Sequence, residues 1–189
     1  VLRQVTATFV YGLTATPIRK DGHQPIIFMQ CGKIRFTSDA KSQMENQGFK
    51  RLLIPRFTSF RSITSDRKTY VQITQELSED KVRNEFVMED VKAAIQKGRT
   101  PLVLTTRTAH VKVLAQMLMP FADHVIQLIG ADSAKEKRLA LQNLQSIPTS
   151  ESLVIVATGK YVGEGFDYPR LDTLFLTMPI AWKGNVEQY

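Results

Sequence analysis

The 189-residue sequence contains a single cysteine, Cys31. No internal disulfide can form, and such cysteine usage points to a reducing, intracellular (cytoplasmic) setting. No apolar run approaches the roughly 20 residues that a helix needs to cross a bilayer, so neither a membrane span nor a membrane partner is expected. Val1-Leu2-Arg3-Gln4 shows no signal-peptide pattern and no initiator methionine, and Asn185–Tyr189 ends abruptly, so we expect an internal piece of a longer protein. The three histidines, His23, His110 and His124, lack metal-ligand spacing, and with one cysteine they make no metal site. They read as packing residues, as do Trp182 and Tyr189, although either aromatic is also able to stack on a base. Internal repeats and low-complexity tracts are absent as well.

The composition itself is globular: 43% of the residues are hydrophobic and 23% charged. The net charge is +7, and much of the excess lies between Lys33 and Lys68. That stretch has nine basic residues (Lys33, Arg35, Lys41, Lys50, Arg51, Arg56, Arg61, Arg67, Lys68) against Asp39, Glu45 and Asp66. It is either a solvated basic surface or a contact for a phosphate backbone, since clustered Lys and Arg release counterions from a polyanion.

Three parts follow along the chain. Residues 1–22 hold an apolar strand, Val5–Leu13, stopped at Thr14-Ala15-Thr16-Pro17 by a proline that cannot continue a central strand. Residues 23–80 form a basic connector with short β-like pieces at Ile26–Phe28 and Leu52–Phe60 and a helix near Arg67–Leu77. Residues 81–189 alternate helix and strand, the rhythm of an α/β domain built from βαβ units on a parallel sheet. Lys81–Lys97 is a helix with Val82, Phe86, Val87, Val91, Ala94 and Ile95 on one face and Gly98 as its stop. The strand Leu102–Leu104 comes next, then a helix over Ala109–Met119 that turns Val111, Leu114, Ala115 and Leu118 inward. Val125–Ile129 is a strand, and Ser133 with Glu136 forms a capping box that opens a helix to about Gln145. Leu153–Ala157 is wholly apolar, as a strand covered on both faces must be, and Leu174–Leu176 is the last strand.

Parallel sheets bind ligands beyond the carboxyl ends of their strands. There the sequence places Thr105-Thr106-Arg107, Gly130, and Thr158-Gly159-Lys160. Hydroxyls, glycine N–H groups and helix starts suit phosphate. Each of these, taken alone, reads first as a helix cap or a loop; three along one edge are able to track a nucleic-acid backbone without reading bases. The segment Thr158–Asp167, with Gly159, Gly163 and Gly165 beside a buried strand, suits close approach of a ligand, or is simply a glycine-rich turn.

In their order and spacing, four elements resemble the superfamily 2 helicases, in the DEAD/DEAH-box-like, repair and restriction-type branch. Gly12-Leu13-Thr14-Ala15-Thr16-Pro17 looks like motif III, Leu102–Arg107 sits where motif IV belongs, Val156–Asp167 resembles motif V, and Asn185–Tyr189 looks like the start of motif VI. The resemblance covers about the first 20 residues and all of 81–189, and 23–80 only loosely. It implies a RecA-like parallel sheet flanked by helices (the second helicase domain), preceded by a C-terminal remnant of the first RecA-like domain and truncated at motif VI. It implies that Thr14 and Thr16 couple hydrolysis to movement, that Gln188 begins the arginine-finger motif, and that Gly165 and Asp167 reach the nucleotide. It implies nucleic-acid-backbone contacts for Thr106, Arg107, Gly130, Thr158 and Gly159. The motif V loop is one residue longer than in the commonest DEAD-box form, and Arg107 stands where many relatives carry an aromatic.

What the resemblance expects and the chain lacks is equally informative. There is no Gly-x-x-x-x-Gly-Lys-Ser/Thr loop and no Asp-Glu acidic box. Nothing therefore cradles phosphates, holds Mg²⁺ or orients an attacking water. The expectation is that ATP and Mg²⁺ serve a longer helicase, an ATP hydrolase whose N-terminal RecA-like domain is missing here, while this piece alone does not hydrolyse ATP. Its partner is nucleic acid, DNA in preference to RNA. Two alternatives stay open: a non-catalytic RecA-like module that binds nucleic acid or protein, and an unrelated nucleotide-binding α/β domain.

Overall fold

The computed structural model describes residues 8–14, 24–37, 52–62, 69–130, 133–162 and 166–179. The chain divides into two compact units with the boundary between Phe57 and Thr58.

Among the described residues of the first unit one helix is formed, α1 (Gln24–Cys31). It overturns the expected β-like piece at Ile26–Phe28. A short apolar run fits either period, and Pro25 in the first turn favours helix, where its missing N–H costs nothing. Gly32 ends α1 at φ +78°, its N–H donating to Phe28 O at 2.9 Å, a left-handed stop natural to glycine. The described part of the expected strand Val5–Leu13, residues 8–13, forms no strand, and neither does 52–60. Phe9, Tyr11, Leu13, Leu52, Leu53 and Phe57 are all exposed. A strand persists only where a ladder partner satisfies its backbone, and the four strands among the described residues pair with one another instead.

The second unit is the expected α/β domain. Its elements are α2 (Tyr70–Glu79), α3 (Lys81–Gln96), β1 (Pro101–Thr105), α4 (Thr108–Leu118), β2 (His124–Leu128), α5 (Ala134–Ser146), β3 (Leu153–Thr158), the single turn α6 (Gly159–Val162) and β4 (Thr173–Leu176). The sheet is parallel throughout, in the order β2-β3-β1-β4. Capping boxes start α2, from Thr69 with Gln72, and α5, from Ser133 with Glu136. Each cap satisfies backbone N–H groups that have no partner inside the helix. Gly98, at φ +71°, follows α3. The inward stripe of α3 is Asn84, Val91 and Ile95; Val82, placed by the sequence on that face, is exposed.

Strand alternation divides the core in two. Val103, Val154 and Val156 face α3 and α4, packing with Val91, Ile95, Val111, Leu114, Ala115 and Leu118. Leu102, Leu104, Leu153, Ile155 and Ala157 face the other way, toward Leu144 of α5 and Tyr161 and Val162 of α6. Fully burying each large apolar side chain contributes about 1.5–3 kcal/mol. β3 is buried at all six positions, whereas the edge strand β4 leaves Leu174 and Leu176 exposed.

Candidate nucleic-acid interface at the carboxyl edge of the sheet

The sheet order puts the ends of β2, β3 and β1 side by side. Thr105 lies opposite Thr158, and Leu128 opposite Ala157. Thr105-Thr106-Arg107, Gly130 and Thr158-Gly159 therefore share one edge. Thr158 is buried, and its Oγ1 accepts the Gly130 N–H at 2.8 Å, which joins two of the strand ends directly. Thr106 is exposed and Gly159 half-exposed. The glycine segment begins as the turn α6, anchored by Tyr161 and Val162 in the core and by an edge-to-face contact of Tyr161 with Phe166 at 6.0 Å.

Arg107 is held rather than loose. Its Nη2 donates to Val71 O at 2.7 Å and its Nε to Thr74 Oγ1 at 3.4 Å, both on α2. The same helix reaches the end of β4, where the Tyr70 hydroxyl donates to Pro179 O at 2.7 Å. Arg83 of α3 donates through Nη2 to Thr177 O, while its Nη1 is buried without a hydrogen-bond partner. Burial lowers the Arg83 pKa, and Asp80 opposes that shift. Thr177 in turn donates its hydroxyl to Leu104 O at 2.7 Å, fastening β4's end to β1.

Sequence reasoning missed a buried chain of polar groups behind this edge. Asn84 Nδ2 donates to Ser78 O at 2.9 Å, Asn84 Oδ1 lies 2.9 Å from His110 Nε2, and His110 Nδ1 lies 2.8 Å from Thr105 Oγ1. Burial first, and then the Arg83 charge, lower the His110 pKa to about 4, so the ring is neutral at pH 7. The legible signal was two polar residues, Asn84 and His110, on otherwise apolar helix faces.

The two edges of the sheet are fastened differently. Thr105, Thr106, Arg107, Gly130, Thr158, Gly159 and Thr177 are neutral or basic. At the amino edge carboxylates do the fastening. Asp172 Oδ1 accepts from Thr100 N at 3.0 Å, Asp123 Oδ2 from Ser152 N at 2.8 Å, and Glu151 Oε2 meets His124 Nε2 at 2.5 Å.

The remaining expected site residues are scattered. Thr14 is exposed in the first unit, and Asp167 is exposed between α6 and β4. Thr16, Gly165 and Gln188 lie outside the described residues. Among the described residues no group of three or more His, Cys, Asp or Glu could hold a metal ion, and no helix is long and apolar enough to cross a membrane. The sequence holds no phosphate loop, and among the described residues nothing fits a Mg²⁺–ATP phosphate site.

No family model matches the chain. Over 130 residues, 66% of this chain, it is 25% identical to the protein named transcript termination protein A18 of Yaba-like disease virus, and equally to that of myxoma virus (strain Lausanne). The match spans 26% of each viral protein, so the chain corresponds to about a quarter of these curated relatives. Among solved structures, T4 UvsW is similar with a TM-score of 0.53 at 17% identity, over 64% of this chain and 24% of that one. The parallel sheet flanked by helices and this structural likeness agree on the architecture: the chain has a RecA-like α/β fold.

Proposed function

We propose that this chain is part of an ATP-dependent nucleic-acid helicase or translocase, and that it carries the grip on the strand rather than the phosphate chemistry. One observation carries the reading: three strand ends that suit phosphate converge on a single edge of the sheet. Thr106 and Gly159 meet the backbone there, with Thr158 and Gly130 setting the spacing between neighbouring contacts. Arg107 supplies positive charge, and touches phosphate directly only on leaving Val71 O. The similarity to viral proteins named for transcript termination, a nucleic-acid transaction, supports this class of partner. DNA is preferred to RNA on the form of Gly12–Pro17 and of the motif V segment.

In this proposal residues 1–22 end a first RecA-like domain, 23–80 connect, and 81–189 form the second domain up to the start of motif VI. Thr14 and Thr16 couple the two domains, Gly165 and Asp167 reach the nucleotide, and Gln188 begins the arginine-finger motif. ATP and Mg²⁺ serve the longer protein, with their phosphate and metal ligands in its N-terminal RecA-like domain. A non-catalytic binding module would use the same edge; a phosphate loop and acidic box upstream of Val1 in the parent sequence distinguish the helicase from it.

The test is fluorescence anisotropy of the chain with single- and double-stranded DNA and RNA across a salt series, beside an ATP-turnover assay. Each phosphate that a lysine or arginine neutralises on a single strand contributes about −0.7 to the log–log salt slope, so a slope of about −0.7 or steeper is expected once Arg107 engages the strand. DNA should bind more tightly than RNA, with no nucleic-acid-stimulated ATP turnover. Salt-independent or absent binding would remove the nucleic-acid reading, and turnover would remove the division of labour.

A further inference from the structure

The polar chain behind the edge has a single direction. Ser78 offers a backbone carbonyl, which only accepts, so the group of Asn84 that faces it is the amide N–H₂. Asn84 Oδ1 is thereby turned to His110, and since an amide oxygen only accepts, His110 Nε2 carries the ring proton. In the neutral ring Nδ1 is then an acceptor, and the Thr105 hydroxyl donates to it. With its proton directed at His110, Thr105 Oγ1 is left to accept, and the Arg107 N–H points at it from 3.5 Å. Asn84, Thr105 and His110 are 3%, 2% and 1% exposed, so water does not compete for these bonds.

The outcome concerns one residue. Arg107 is fixed twice, through its N–H to Thr105 and through its guanidinium to α2, and Thr105 is fixed by His110 and by the β1–β3 ladder. Thr106 stands exposed between two immobilised neighbours. We infer that Asn84 and His110 are positioning residues, which act through Thr105 to hold the Thr105–Thr106–Arg107 strand end in the conformation that presents Thr106 to a backbone phosphate. The geometry rests on the network, and the identity of the ligand rests on the reading proposed above.

The experiment has two arms. In the first, the unmodified ¹⁵N-labelled chain is examined by NMR for the His110 tautomer and for exchange of the Arg107 amide, and Asn84→Asp is compared. The expected result is a proton on Nε2 with Nδ1 bare. Asn84→Asp places a carboxylate beside Nε2, so it should draw His110 into protonation and shift the Arg107 amide. In the second arm, a labelled oligothymidylate is titrated by anisotropy into the chain, His110→Gln, Thr106→Ala and the double variant. His110→Gln should weaken binding about fivefold to tenfold. The double variant should lose no more than Thr106→Ala alone, because both act on one contact. A merely structural role for His110 would give losses that add. Additive losses, unweakened binding by His110→Gln, or a proton on Nδ1 overturns the inference. Should the unmodified chain not bind the oligonucleotide, the ligand reading falls, and the tautomer and the Arg107 amide decide the positioning role by themselves.

Discussion

Lowering the pH should destabilise the second unit through one buried imidazole. The His110 pKa is lowered from 6.5 to about 4, chiefly by burial and secondarily by Arg83. As the pH falls, the unfolded chain takes up this proton before the folded one does. The stability that His110 contributes as a neutral group is therefore complete above pH 6.5 and is lost progressively as the pH falls through the window down to about 4. The gap between the two values corresponds to about 3 kcal/mol, of which about 2 kcal/mol should disappear between pH 7 and pH 5. Asp123 and Glu136, held low mainly by hydrogen bonds from Ser152 and Ser133, also weaken the fold in acid. Those contributions are shared with a His110→Gln variant and cancel in a comparison. Urea unfolding followed by circular dichroism at pH 7 and pH 5 should thus show a loss larger by about 2 kcal/mol in the unmodified chain than in His110→Gln. Equal losses in the two proteins would refute the claim that His110 is buried and neutral.

Three further outcomes are expected. Leu114→Ala, at a position with no exposed surface between α4 and the sheet, should cost about 2–5 kcal/mol in urea unfolding by opening a cavity. Ser133→Ala removes the capping box of α5 and should cost about 1 kcal/mol, readable as a lowered urea midpoint with unchanged slope. Thr158→Val keeps the shape of the side chain but takes the acceptor from the Gly130 N–H; it should cost about 1–3 kcal/mol and accelerate hydrogen exchange at Gly130.

Legibility in the sequence followed local physics. The four inward residues of α4, the Ser133–Glu136 capping box and the wholly apolar β3 were readable because burial on a helix face, a cap and a doubly covered strand each leave a periodic or compositional mark. The convergence of the strand ends followed from the rule for parallel sheets, although the order β2-β3-β1-β4 was not itself readable: which strands are neighbours is decided by packing between residues far apart in sequence. The strand expected over 5–13 failed in its described part because an apolar run does not supply its own ladder partner. Ile26–Phe28 failed because three apolar residues fit a helix as well as a strand. Spacing and the single cysteine exclude a metal role for His110 but leave no mark of its hydrogen bonds. Its partners Asn84 and Thr105 come from α3 and β1, and only the fold brings them to the ring.

The most direct test of the central claim is an amide chemical-shift titration of the ¹⁵N-labelled chain with single-stranded DNA. Perturbations gathered at Thr106, Gly130 and Gly159, with Asp123, Ser152 and Asp172 unmoved, are the predicted result. Shifts confined to the amino edge, or spread without preference over both edges, would contradict it.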